Sequence, residues 1–404
     1  MKSLLDLANV RDFLRERGDA EASIDSLEVS YMQAGPDGPM RVVYEGPARN
    51  GSTFRVTGRR TNPAKEGEQL LFQIFPADDR LPTLPAAIDE SAMTPILESA
   101  LAPYAERARL RRVCVHVMRY KPGRKCLLRY DLSWAAGAGP GAPSVAWARV
   151  SRAAKFARTR DNLARIHAAA AQNSFELPQP LGVVPRLQME LFGPVAGVAL
   201  FALVRRAEFP ALCRRVGELL HGFHRLNVRM ETDFDAAAQI ERLHENATEF
   251  AWLLPAERPR IAAIDRELTV RLLAAPRSPL LLIHRDFHGD NVLVAGDRIS
   301  LIDFEDCAMG DPLDDVGSNW AQLTWWIRKA GAARALPDAG RRAFLDGYFH
   351  RGDATAAPLP IYAALHCFLY AHQCVRHPQD ADRYDGARAM LSACERVLEH
   401  GCDL

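Results

Sequence analysis

Residues able to do chemistry are concentrated in one stretch, Leu281–Trp320, which reads LLIHRDFHGDNVLVAGDRISLIDFEDCAMGDPLDDVGSNW. An apolar run ends at His284-Arg285-Asp286, and Asn291 follows after four residues. A polar turn at Gly296-Asp297 separates two short apolar runs, 292–295 and 299–302, and the second delivers Asp303, Phe304 and Glu305. This pattern predicts a loop, a β-hairpin and a carboxylate at a strand end. It draws Asp286, Asn291 and Asp303 towards a common point. Phosphoryl transfer from a nucleotide needs these residue types, because its catalysis is mostly positioning and charge neutralisation. Asp286 is placed to accept the proton of an acceptor hydroxyl, while Asn291 and Asp303 offer the hard oxygen ligands that Mg²⁺ prefers.

The order H-x-D-x-x-x-x-N followed by an apolar-flanked Asp matches the catalytic loop and metal Asp of kinases. The segment resembles the aminoglycoside phosphotransferase-like and choline kinase-like small-molecule kinases. His288 and Gly289 stand before the Asn as in that family, Ile302-Asp303-Phe304-Glu305 matches its metal motif, and Gly310-Asp311-Pro312 with Asp315 matches its G-D-P-x-x-D. Protein kinases would carry D-F-G and a later A-P-E; Glu305 stands in place of that Gly and no A-P-E follows. The resemblance is specific over about 281–320 and diffuse over roughly 110–400.

The resemblance implies an α+β, two-lobed protein-kinase-like fold, with a small β-rich N-lobe, a large helical C-lobe and an N-terminal α/β extension. The expected units are an extension over 1–108, a nucleotide-binding N-lobe over 109–193 and a helical C-lobe over 194–404. ATP and Mg²⁺ are the implied cofactors, and a hydroxyl of an aminoglycoside, sugar or amino alcohol is the implied acceptor. His284 and Arg285 would hold the catalytic loop in shape by hydrogen bonds, with Asp311 and Asp315 bracing it.

The elements that must position these groups are readable in order. Residues 3–17 show helical spacing with Gly18 as a stop, and 26–75 read as a β-meander broken at AGPDG and ARNG. A helix around 88–104 follows. Residues 111–120 and 125–134 form a hairpin around KPGR, which the resemblance makes the phosphate-covering loop; Gly123, Lys121, Arg124 and Lys125 are its phosphate-facing candidates. The strand 144–151 carries Arg149 where a kinase would place the Lys that pairs with phosphates and a helical acid. Asp161, in a helix over 153–172, is the expected partner of Arg149, and Lys155 is the substitute cation. Met189–Phe192 corresponds to the hinge, with Glu190 and Leu191 offering backbone groups to adenine, and Gly193, Pro194 and Gly197 mark the lobe linker. Helices are then expected over 208–226, 234–254, 258–274, 313–330, 339–350, 357–376 and 381–399.

Acceptor recognition is assigned to His288, Glu305, Trp320 and Trp325, with Trp326 beside them; aromatic faces stack on sugars or cations. His221 and His224, on an apolar helix, are read as packed groups. The missing third-strand Lys leaves one alternative, a nucleotide-binding pseudokinase with a regulatory role.

The 404 residues, 48% of them hydrophobic, suffice for two or three packed units. A net charge of +1 argues against a nucleic-acid or acidic-membrane binder. No apolar run approaches the roughly 20 residues of a membrane span. The opening MKSLLDLANVRDFLRERG has Asp6 in its only apolar patch and no small-residue cleavage site, so no signal peptide is expected. Eight scattered cysteines without a C-x-x-C pair fit a cytoplasmic protein.

Overall fold

A computed structural model describes residues 4–17, 26–35, 38–47, 53–60, 70–106, 108–171, 176–276, 279–350, 352 and 356–402. The Gly18 stop and the ARNG break lie outside these residues.

The first unit is an antiparallel sheet of β1 (Glu28–Gly35), β2 (Gly38–Pro47), β3 (Thr53–Arg60) and β4 (Leu70–Ile74), in the order β1-β2-β3-β4. Alternation along the strands sends Val42, Tyr44, Phe54 and Val56 to one face. The helix Leu7–Glu16 covers that face with Val10 and Leu14. Asp6 starts this helix by accepting from Ala8 N at 3.0 Å.

The second unit is the five-stranded antiparallel sheet of the small lobe. Its strands are β5 (Leu110–Lys121), β6 (Lys125–Trp134), β7 (Val145–Ser151), β8 (Pro180–Val184) and β9 (Met189–Phe192), in the order β5-β6-β7-β9-β8. Cys126, Leu128, Tyr130 and Leu132 alternate into a core with Ala146, Ala148 and Val150. The helices Leu84–Ala87 and Glu90–Leu101 fill the same core with Leu84, Met93, Leu97 and Leu101. Packing therefore groups residues from Leu81 onward with the small-lobe sheet, ahead of the boundary at 108 read from the sequence. The other face of β6 and β7 carries Lys125, Leu127 and Arg149 towards the cleft. The helix expected over 153–172 is two pieces, Ala153–Thr159 and Asn162–Ala169, separated at Arg160-Asp161.

The large lobe is helical, and its helices follow the expected spans closely: Phe209–His224, Ala236–Leu253, Arg258–Ala274, Leu313–Ala330, Ala335–Phe349, Leu359–Val375 and Arg383–His400. Two three-stranded sheets carry the catalytic segment. One joins β10 (Val198–Ala199) to the hairpin of β13 (Val292–Ala295) and β14 (Arg298–Leu301). The other orders β11 (Asp233–Phe234), β15 (Ala308–Gly310) and β12 (Leu281–Ile283).

The N-terminal sheet touches both lobes. Ala34 N donates to Glu249 Oε1 at 3.0 Å and Met32 N to Arg376 O at 3.2 Å, on the large lobe. Arg41 Nη1 donates to Pro122 O at 3.0 Å, in the small-lobe turn. Burial pushes the Glu249 carboxyl up, but His372 and the Arg376 fork (2.6 and 3.1 Å) outweigh it and hold the group down at about 2. A depressed carboxylate stabilises the fold above its ordinary pKa and loses that contribution as pH falls from about 4.5 towards 2. Glu249→Gln is thus expected to destabilise the protein at pH 7 by roughly 3 kcal/mol. The gap from wild type should narrow as pH falls below about 4.5 and close near pH 2; thermal unfolding across pH measures it.

Candidate active site

The catalytic segment leaves β12 at Ile283 and turns at once. Arg285 sits at φ 65°, in the left-handed region that non-glycine residues rarely occupy. One carboxylate holds this turn. Asp315, fully buried near the start of Leu313–Ala330, accepts from His284 N at 2.6 Å and Arg285 N at 2.8 Å. It also meets His224 Nε2 at 3.1 Å, and His224 Nδ1 meets Tyr348 OH at 2.8 Å. His221 and His224 are therefore packed scaffold groups. His284 Nε2 reaches Ile302 O at 2.9 Å, tying the loop to the strand that delivers Asp303. The Arg285 guanidinium lies 3.8 Å from the centre of the Phe234 ring. His284 thus ties the loop to the strand before Asp303, and the Arg285 side chain packs on Phe234.

Asn291 Nδ2 donates to Asp286 O at 2.9 Å, and Ile302 N donates to Asn291 O at 3.1 Å. The first bond engages the amide nitrogen of Asn291 and leaves its amide oxygen for other partners. Gly289 is required by close approach, since a Cβ there would lie 2.5 Å from the Phe201 ring. The Asp286 side chain is 44% exposed, with His288 Nε2 3.7 Å from its Oδ1. Burial raises its pKa, but His288 and His284 outweigh this and hold it well below the usual carboxylate range. Asp286 is thus ionised and partly open to solvent.

Asp303 is also left-handed, at φ 68°, which re-aims its carboxylate towards the small lobe. There it accepts from Arg149 Nη1 at 2.7 Å and Lys125 Nζ at 3.0 Å. These cations outweigh the burial that raises its pKa and hold it at about 2. Lys125 also bonds Glu305 Oε1. Arg149 forks onto Glu190 Oε2 through Nε (2.9 Å) and Nη2 (2.5 Å). Two cations therefore face three carboxylates, Glu190, Asp303 and Glu305, with burial pushing the Glu190 carboxyl up. The hard oxygens of Asp303 and Asn291 fit Mg²⁺. No group of three or more His, Cys, Asp or Glu among the described residues makes a self-contained metal cage. Mg²⁺ commonly needs none, because it takes one or two carboxylates together with substrate phosphates.

Several expectations are corrected. Asp161 does not meet Arg149: it begins the helix Asn162–Ala169 with its side chain 55% exposed, 3.7 Å from Arg160. Glu190 takes that place, because β7 and β9 are neighbours and their register sets Arg149 opposite Glu190. The backbones of Glu190 and Leu191 are paired to β7 and β8, so the ladder engages the groups expected to face adenine. Gly123 supplies the φ of 62° that its turn needs, but its N–H donates to Asp78 Oδ2 at 2.6 Å rather than facing a phosphate. Lys155 pairs with Asp306. Glu305 is buried against Lys125 and Arg149, away from an acceptor role.

The tryptophans assigned to the acceptor are also corrected. Trp320 is 4% exposed beneath Arg341, and Trp325 is 9% exposed, packed on Tyr370 and Gly386. Both lie in the helical core. Trp326 is less buried and packs on Phe201, with ring centroids 5.7 Å apart, beside Gly289 of the catalytic loop. Asp78 was missed as a site-positioning group and stands within no recognisable motif, whereas Glu190 was named for its backbone and acts here through its carboxylate.

The chain belongs to the phosphotransferase enzyme family, whose model matches residues 138–359. A search of the curated proteins finds no match. Among solved structures, a glucosamine kinase is 18% identical with a TM-score of 0.53, covering 92% of this chain and 93% of its own. A choline/ethanolamine kinase family protein from Mesorhizobium loti is 20% identical with a TM-score of 0.50, covering 76% and 95%. A choline kinase from Cryptosporidium parvum is 10% identical with a TM-score of 0.51, covering 77% and 97%. These likenesses establish the two-lobed kinase-like fold. The pseudokinase alternative finds no support, since two cations reach the Asp303 carboxylate without a third-strand Lys.

Asp315→Ala would strand two loop amides and a buried His. It is expected to cost roughly 3–5 kcal/mol in urea unfolding, much more than an exposed Asp→Ala change.

Proposed function

We propose that the protein transfers the γ-phosphoryl group of ATP, with Mg²⁺, to a hydroxyl of a small molecule of aminoglycoside, sugar or amino-alcohol type. The observation that carries this reading is the meeting of Asp303 with the small-lobe cations Lys125 and Arg149 across one cleft, with Asp286 near enough to act on the Asp303 charge. Choline, ethanolamine and glucosamine, named for the similar structures, combine a hydroxyl with a nitrogen cation or amine.

Asp286 orients the acceptor hydroxyl and takes its proton. The acceptor oxygen forms the new bond to phosphorus as the bridging β–γ oxygen leaves with its electron pair on ADP. Asp303 and Asn291 would hold Mg²⁺, which supplies charge neutralisation on the phosphates. Asp315, through the two loop amides, keeps Asp286 in place. Trp326 and His288 border the acceptor side. No helix among the described residues is long and apolar enough to cross a membrane. Cys126, Cys213, Cys367 and Cys394 are buried and unbridged, which supports work in a reducing cytoplasm.

Calorimetric titration with Mg-ATP should give binding that Asp303→Ala abolishes. ADP release on adding glucosamine, ethanolamine, choline or an aminoglycoside should fall roughly 100-fold or more in Asp286→Asn. Wild-type protein that binds no nucleotide at millimolar Mg-ATP would refute the reading.

A further inference from the structure

We infer that Lys125, at the first position of the second small-lobe strand, is the ammonium that grips the nucleotide's phosphates, and that Arg149 is a positioning residue. This rests on the reading above and divides the labour between its two cations. Register brings them together: Leu127 lies opposite Arg149, so Lys125, two residues earlier, is the diagonal neighbour of Arg149 on the cleft face. A side chain from the second strand thereby reaches the carboxylate that a third-strand group reaches.

The two cations differ in what they can release. Arg149 is 8% exposed, and Nε, Nη1 and Nη2 are all engaged by Glu190 and Asp303. Turning it to a phosphate would strand Glu190, which is buried and whose Oε1 already has no partner among the described residues. A buried carboxylate without its cation is strongly unfavourable. Lys125 has a flexible stem and a single point charge held by two carboxylates, Asp303 at 3.0 Å and Glu305. When Asp303 turns to a metal, Lys125 keeps Glu305 and presents its ammonium to the phosphates. Glu305 then does for Lys125 what a helical acid does for a third-strand lysine.

A second feature of the hairpin points to a polyanion. Lys121 and Lys125 stand directly opposite one another at the base of the turn. Like charges in that relation repel, and a bound polyphosphate between them removes the repulsion. Burial, together with Lys125, pulls the Lys121 pKa down to about 8.

The test compares ATP with adenosine, which has no phosphate, by calorimetry. Lys125→Met should weaken ATP binding roughly 10- to 100-fold and leave adenosine binding unchanged. Lys125→Arg should restore part of the loss. Arg149→Lys should lower the melting temperature and leave the ATP-to-adenosine affinity ratio near wild type. If Arg149→Lys alone changes that ratio, or if neither Lys125 variant does, the inference falls while ATP binding and the Asp286 and Asp303 effects leave the broader reading standing. If Lys125→Met does not fold, Lys125→Gln replaces it; failure of both makes Lys125 structural and overturns the inference. Wild-type protein that binds no ATP overturns both readings together.

Discussion

The Asp303 carboxylate is the constraint on which the rest depends, because it is where the lobes meet chemically. It belongs to the large lobe, yet its partners, Lys125 and Arg149, come from adjacent strands of the small-lobe sheet. Charges this close inside a cleft attract far more strongly than on a surface, since water screens them less. The fold then has to keep three carboxylates and two cations apart from bulk solvent but within reach of a ligand. The sheet does this by alternation: one face of β6 is apolar core, and the other presents Lys125 and Leu127. The large lobe does it by a left-handed residue at the end of a hairpin.

Around that centre, rigidity is concentrated in a few backbone bonds. Asp315 fixes two successive amides, His284 fixes the carbonyl before Asp303, and Asn291 fixes the carbonyl of Asp286. The two left-handed residues, Arg285 and Asp303, are energetically unfavourable alone and persist because these bonds over-determine them. Catalysis by positioning requires that arrangement, since a phosphoryl group gains little from a carboxylate that wanders.

Legibility in the sequence followed distance along the chain. Asp286, Asn291 and Asp303 lie within one hairpin's length of each other, so their types and spacing alone indicated convergence. The helices of the large lobe were readable because each carries its own apolar period. The partner of Arg149 was not, because pairing with Glu190 depends on β7 and β9 being neighbours, and strand order does not follow chain order there. Asp161 was the nearest acid in a helix, but the chain breaks at Arg160-Asp161 and turns its side chain to solvent. Trp320 and Trp325 misled for the opposite reason: they are close to the metal loop in sequence, but the turns of Leu313–Ala330 rotate them into the core. Residues from Leu81 to Leu101 read as part of the extension because only tertiary packing assigns them to the small-lobe sheet.

The N-terminal sheet gives the molecule a second connection between lobes. Through Arg41 it holds the carbonyl of Pro122, and through Met32 and Ala34 it sits on Arg376 and Glu249. Together with the linker at Gly193–Gly197, this makes a closed mechanical circuit rather than a single hinge. Moving the 121–124 turn away from the helix Ala236–Leu253 must break one of those bonds or shear the sheet itself. Cleft opening and sheet docking are therefore one coordinate, and by reciprocity any ligand that draws the turn downward seats the sheet more firmly by the same free energy. In mechanical terms, the sheet β1–β4 acts as a tie-bar across the jaw.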